Sequence, residues 1–298
     1  MEIVPREPDT LRRFVFEHAP IRGEIVHLDA TWQAVLERHP YPPRVRALLG
    51  QFLAATALLA ATVKFDGSLI LQAQGEAETA PLLVAEARPG LTLRGLAHWS
   101  GEDIPAGDLE AVFGLDARLV ITIDPGPGMD RYQGIVALSG ESLAQALGDY
   151  FHRSEQLETR LWLAADEDTA AGMLLQRIPE APMEDADAWN RALTLAATLS
   201  DEELLELPAR RILQRLFHEE DVRLFEREPV AFRCTCTRER VENMLRGLGE
   251  AEVQDILAEQ GRVEVSCEFC NQCYTFDAVD VARLFASEPV APAPKTRQ

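Results

Sequence analysis

All five cysteines of this 298-residue chain stand between positions 234 and 273, as Cys234-Thr235-Cys236 and Cys267-Glu268-Phe269-Cys270-Asn271-Gln272-Cys273. Two thiol clusters 30 residues apart make a closed set of soft ligands with two chemical fates. Either four thiolates surround one metal, or two disulfides form, and the redox poise of the compartment decides between them. The spacing suits a protein that uses both in turn. Four thiolates in two short clusters fit tetrahedral zinc, at roughly 2.3 Å per Zn–S bond. Cys267, Cys270 and Cys273 also make a CxxCxxC run, but the fourth cysteine and proline of a ferredoxin run are missing, which weighs against iron–sulfur.

Structural zinc modules usually present CxxC to CxxC, so the Cys234-x-Cys236 half stands out. A disulfide closing so small a ring would be strained and easily reduced, poor for a permanent scaffold and good for a reversible sensor. Thiolates are also the species that oxidants attack. None of the six histidines forms an HExxH or a readable Cys–His pairing, and an all-thiolate site leaves no open position for a hydrolytic water. No residue is read as catalytic.

The elements that must position these thiols can be read locally. Thr237 caps a helix through Arg246 with Val241, Met244, Leu245 and Leu248 on one face. Gly249 and Gly261 bracket a second helix, Arg262–Cys267 and Tyr274–Phe276 alternate as strands, and Asp277 caps a last helix. A unit this small with so few large apolar groups needs a structural metal to fold.

Upstream, strand-like runs fall at Phe14–Phe16 and Glu24–Leu28, with Pro20 and Gly23 breaking between them. Asp29 or Thr31 caps a helix through Glu37, and a long apolar helix follows at 44–63. That helix is long enough for a membrane span. Its alanine content, Arg46 in its first turn and the missing aromatic belt instead make it the buried centre of a soluble domain. After the turn at Lys64–Gly67, strands are expected at 68–74, 91–99, 119–124, 132–138, 160–164 and 173–178, with a helix capped by Ser142. Hairpin-type connections and helices that do not alternate with strands imply an α+β fold. No GxGxxG or Walker loop supports nucleotide binding.

From Glu180 to Glu228 the chain carries 13 acidic residues and 6 arginines. Narrow apolar stripes at Leu193, Ala196 and Ala197, and at Ile212, Leu213, Leu216 and Phe217, need a surface to pack against. Composition alone reads as an ordinary helical linker. The expected organisation is an α+β core domain with a buried central helix at 1–179, a helical linker at 180–229, a small zinc-binding domain at 230–287 and a disordered tail at 288–298. A net charge of -20 argues against nucleic acid as a partner. The N-terminus shows no secretory pattern, so a cytoplasmic protein with reduced thiols is expected.

The pattern Cys234-x-Cys236-Thr-Arg-Glu-Arg … Ile256-Leu257-Ala258-Glu259 … Cys267-x-x-Cys270-Asn271-x-x-Tyr274-x-Phe276 closely resembles the redox-regulated chaperones of the heat-shock protein 33 family. Lys64-Phe65-Asp66-Gly67, Arg131-Tyr132-Gln133-Gly134, Tyr150-Phe151-x-x-Ser154-Glu155-Gln156, Gly172-Met173-Leu174-Leu175-Gln176 and His218-Glu219-Glu220 agree in the same order. The resemblance implies an ATP-independent holdase, inactive while reduced with one zinc per chain on Cys234, Cys236, Cys267 and Cys270. It implies that peroxide with heat, or hypochlorous acid, forms the disulfides Cys234–Cys236 and Cys267–Cys270. Zinc is then lost, the linker unfolds, and the protein, typically a homodimer, holds unfolding clients against aggregation. On this resemblance the 180–228 segment becomes a switch rather than a plain linker.

Cys273 is not needed by that four-cysteine pattern. It is read as a bystander thiol, with a substitute ligand or a mispairing partner for Cys270 as alternatives. Two other functions compete. A zinc-ribbon-like adaptor with a purely structural metal would be inactivated by oxidation. A thiol–disulfide oxidoreductase would turn over a disulfide substrate, but the βαβ context expected around its CxxC is missing.

Overall fold

The computed structural model describes residues 7–63, 65–75, 81–126, 128–179 and 185–286. The expected tail at 288–298 and Lys64 of the expected turn lie outside them. The chain divides into two units, Met1–Arg233 and Cys234–Gln298.

The first unit contains two sheets. β1 (Thr10–Phe16) and β2 (Ile21–Leu28) form a hairpin, followed by α1 (Ala30–Leu36) and α2 (Pro43–Thr62). β3 (Ser68–Gln74), β4 (Leu82–Arg88), β5 (Thr92–His98), α3 (Leu109–Phe113), β6 (Arg118–Asp124) and β7 (Tyr132–Ala137) come next. Then follow α4 (Leu143–Arg153), β8 (Thr159–Ala165), β9 (Ala170–Arg177), α5 (Ala188–Ala196), α6 (Asp201–Glu206), α7 (Ala209–Leu216), β10 (Val222–Pro229) and β11 (Ala231–Phe232). One sheet has the order β10-β1-β2-β9-β8, the other β11-β5-β4-β3-β6-β7. All pairings are antiparallel except the short β11·β5 contact.

The apolar helix α2 lies in a core shared by both sheets. Val45, Leu49, Phe52, Leu53 and Leu58 are buried with Leu11, Val26, Leu28 and Leu174 of one sheet, and with Leu69, Leu71, Leu83, Leu93 and Leu119 of the other. Each such side chain gains roughly 1.5–3 kcal/mol on leaving water. Within its most apolar stretch, 67% of the helix is buried inside the protein, so its membrane-like hydropathy is consumed by packing. This is the buried central helix expected of an α+β fold.

Strand β2 has two buried faces. Val26 and Leu28 face the α2 core, while Ile21 and Ile25 face a second cluster with Phe14, Phe16, Met173 and Leu175. Gly23, expected to break the strand, lies inside it. A Cβ at that position would sit 2.2 Å from Phe14 Cζ and 2.7 Å from the Leu174 carbonyl oxygen. The residue reads as a breaker but serves a close approach.

The cap of α1 also differs from expectation. Asp29 makes no side-chain cap; instead the Asp9 carboxylate accepts from the backbone N–H groups of Asp29, Ala30 and Thr31 at 3.1, 2.9 and 2.8 Å. The orphan donors of a helix start can donate to any carboxylate the fold delivers, not only a local one.

Within the 180–229 segment, residues 180–184 lie outside the described ones. Three helices, α5 to α7, then cover the outer face of the five-stranded sheet. Trp189, Ala192, Ala196, Leu204, Ile212, Leu213, Leu216 and Phe217 are buried there against Phe14, Phe16, Ile21 and Ile25. Residues 222–229 are strand where the segment was expected to be helical. β10 pairs along β1 from Phe16↔Val222 to Thr10↔Pro229, and its Arg223, Glu226 and Arg227 side chains are exposed at the sheet edge. Backbone pairing with a strand far away in sequence outweighs a local composition that reads as linker.

Candidate metal centre

The second unit is built around the cysteines. α8 (Arg238–Leu248), α9 (Glu250–Gln260), the hairpin β12 (Val263–Ser266)–β13 (Cys273–Phe276) and α10 (Ala278–Phe285) enclose one small core. Its buried members are Val241, Leu245, Val253, Val263, Phe276, Val281 and Leu284. Thr237 caps α8 by accepting from the Arg240 N–H, and Asp277 with Asp280 forms a capping box on α10. The Arg238 guanidinium lies 4.3 Å from the Phe276 ring centroid and 2.9 Å from Asp280. These local devices fix the ends of α8 and α10 around that small core.

Cys234 and Cys236 sit on the approach to α8, and Cys267 and Cys270 on the turn between β12 and β13. In that turn the Cys267 carbonyl oxygen accepts from the N–H groups of Cys270 (3.3 Å) and Asn271 (2.7 Å), while the Cys267 N–H donates to Gln272 O at 3.0 Å. Asn271 adopts φ +57°, a left-handed conformation that asparagine tolerates. The turn thereby presents both of its thiols on one side.

All four sulfurs lie within 4.8 Å of one another. Cys234 Sγ is 3.6 Å from Cys267 Sγ, and Cys236 Sγ is 3.4 Å from Cys270 Sγ. A tetrahedron with Zn–S bonds of about 2.3 Å has edges of about 3.8 Å. The spacing is far longer than a disulfide, and all five cysteines are free thiols. Cys273 is exposed and stands outside the group of four.

The electrostatics favour a cation among these sulfurs. Burial pushes the Cys234 thiol up, but the Cys236 N–H and the neighbouring thiols outweigh it and bring it down to about 7. Burial drives the Cys267 and Cys270 thiols up instead, Cys270 strongly, despite donating N–H groups. Like charges this close repel, and positive charge between the sulfurs relieves that repulsion. The donor set, its spacing and its charge fit one soft divalent ion.

One feature of the centre was missed in the sequence. The Tyr274 hydroxyl donates to Cys236 Sγ at 3.2 Å. Tyr274 belongs to the quoted pattern, but nothing in its spacing announces a hydrogen bond across 38 positions.

The family model described as Hsp33 protein matches residues 9–277. The chain belongs to the Hsp33 family. It is 54% identical over 291 residues to the 33 kDa chaperonin of Nitrosococcus oceani, covering 97% of this chain and 98% of that one. The 33 kDa chaperonin of Methylobacillus flagellatus is 50% identical over 293 residues, with coverage of 97% and 98%. The crystal structure of the 33 kDa chaperonin from Thermotoga maritima shares the fold, with TM-score 0.78, 22% identity, and coverage of 93% of this chain and 97% of that one.

In this Hsp33 chain, motifs far apart in sequence meet in the first unit. Tyr132 and Tyr150 both donate to Glu155 Oε1 at 2.6 Å, and Arg131 Nε donates to Asp124 at 2.9 Å. Gly134 makes room for the Tyr150 hydroxyl, which would lie 2.1 Å from a Cβ there. The tyrosine contacts join β7 and α4 to Glu155 just past the helix, and the Arg131–Asp124 pair bridges the loop between β6 and β7.

Proposed function

We propose that this protein is a redox-regulated, ATP-independent holdase of the cytoplasm. Reduced, it holds one zinc per chain through Cys234, Cys236, Cys267 and Cys270 and is inactive. The observation that carries the reading is the set of four half-buried sulfurs within 4.8 Å of one another. Zinc bound there would keep all four as thiolates and supply folding energy, about 10–16 kcal/mol in small zinc peptides.

The chain's own residues carry the switch. Each disulfide forms from two thiolates, one hydrogen peroxide and two protons from solvent, giving two waters. The pairing carried over from the family is Cys234–Cys236 and Cys267–Cys270, each within one cluster. Both pairs lie within 4.8 Å, so neither needs more than local movement of the CxC segment or the CxxC turn. With the ligands consumed, the small core of the module loses its main support. The helices at 188–216 are the metastable segment in this reading, since they hold the sheet through one face only. Their release would uncover the apolar outer face of the five-stranded sheet and make it available to unfolding client proteins. The activated form is read as a homodimer, with neither nucleic acid nor membrane as a partner.

Zinc content and holdase activity measured before and after oxidation test this. Reduced protein should contain one zinc per chain and leave light scattering from a thermally unfolding client unchanged. Peroxide at raised temperature should release the metal and produce a form that suppresses scattering without ATP, and dithiothreitol should reverse its readiness. Equal suppression by the reduced zinc form would sink the proposal. Oxidation that only inactivates would favour the structural adaptor.

A further inference from the structure

We propose that Tyr274 is a positioning residue of the cysteine centre. Its hydroxyl hydrogen bond to Cys236 sets how tightly the four thiolates hold their metal and how readily they yield to an oxidant. The inference rests on the reading that these cysteines hold zinc, and it assigns a regulatory part to a residue outside the ligand set.

Three observations carry it. The Tyr274 Oη–Cys236 Sγ distance is 3.2 Å, within the range for a donor to sulfur. The phenol is held in place: Tyr274 pairs with Val265 across the β12–β13 hairpin, and its half-buried ring packs against the small core of the module. The bond also has a direction. The phenol O–H donates and the Cys236 sulfur accepts, an arrangement a sulfur serving as a metal ligand can keep.

Two consequences follow for that sulfur. A donor draws charge off the thiolate and lowers its nucleophilicity, which slows attack on peroxide. It also fixes the orientation of the sulfur's lone pairs, which favours it as a ligand. Groups that orient metal ligands in this way typically contribute 10–100-fold to affinity. Tyr274 therefore acts as a brake on the switch through Cys236, with no contact to an oxidant of its own.

The test uses the full-length chain and Tyr274→Phe, which removes the donor and keeps the ring. Chelator competition should show zinc bound about tenfold more weakly, and release at fixed peroxide should be several-fold faster. In cobalt-substituted protein the thiolate-to-metal charge-transfer band should move to longer wavelength. That band is read from the loaded fraction alone, so it reports even if the variant is less stable. Val263→Ala loosens the same hairpin at its pair with Phe276 rather than at Tyr274, and there the band should stay in place. Wild-type zinc binding with an unshifted Tyr274→Phe band and unchanged release would overturn the inference and leave the switch reading intact. An equal shift in Val263→Ala would overturn it too. A wild-type chain that takes up neither zinc nor cobalt would overturn both.

Discussion

His27, on β2, places Nε2 2.9 Å from the carbonyl oxygen of Leu204 on α6, and both residues are buried. The carbonyl can only accept, so this ring nitrogen carries the proton. The bond ties a strand at the centre of its sheet to a six-residue helix whose last carbonyls have no helical partner. Sealed from water, it anchors the α5–α7 layer at one point of definite chemistry.

Replacing His27 by Leu keeps the apolar packing and leaves the Leu204 carbonyl without its donor. A buried acceptor stranded in this way costs about 1–3 kcal/mol. Hydrogen exchange should quicken across residues 188–216 and stay near wild type in β3 and β6. Unchanged protection in the helices would show that their docking does not depend on this bond.

Glu24 gives a pH signature. Burial pushes its carboxyl up from the usual 4.5 to about 7, against the pull of Arg13 and Arg22, and no donor among the described residues reaches its Oε2. Because the folded pKa lies above the unfolded one, the stabilising contribution is complete below about pH 4.5. It is lost as pH rises towards 7, a change on the order of 3 kcal/mol. Denaturant unfolding of wild type and Glu24→Gln at pH 5, 6, 7 and 8 should give a difference that grows in favour of the variant and levels off above 7. Parallel curves would refute the assignment.

Cys270→Ser and Cys273→Ser should part company despite standing three positions apart. The first removes one of four clustered sulfurs and should cost most of the zinc affinity. The second changes an exposed thiol and should leave stoichiometry and peroxide-driven release unchanged. Zinc loss in the second variant would bring Cys273 into the centre.

Gly23→Ala tests the close approach inside β2. The added carbon would meet the Phe14 ring and the Leu174 carbonyl well inside contact distance, an overpacking that costs roughly 1–3 kcal/mol or more. Thermal unfolding should show a lower midpoint that Phe14→Leu, by opening space, partly restores in the double variant. Strictly additive losses would place the strain elsewhere.

The cysteine centre was legible because its chemistry is local: the thiols are concentrated in 40 positions and nowhere else, with caps at Thr237 and Asp277 that serve their own helices. The central helix was legible because twenty residues of uniform apolarity have few destinations. Strand β4 was not. Leu82-Leu83-Val84-Ala85-Glu86-Ala87-Arg88 is rich in helix formers, and it is strand because it lies between β3 and β5, where Arg88 and Arg94 neutralise the buried Glu86. β10 was hidden by its charges, which an edge strand keeps in water. Asp9 on α1, His27 under α6 and Tyr274 on Cys236 share one reason for escaping notice: each acts on atoms twenty or more positions away.

The strap formed by β10 and β11 joins both sheets of the first unit. Asp9 O and Leu91 O receive the consecutive N–H groups of Val230 and Ala231, so the chain passes from one sheet to the other within a single step. Fraying that spreads back from Arg233 meets the two pairs of β11 first and then the six of β10, in order. Such an edge opens like a zipper from its end, through partly peeled states that can each close again. In the proposed switch the extent of that opening would vary by degrees, making the strap a dial beside the latch of the thiols.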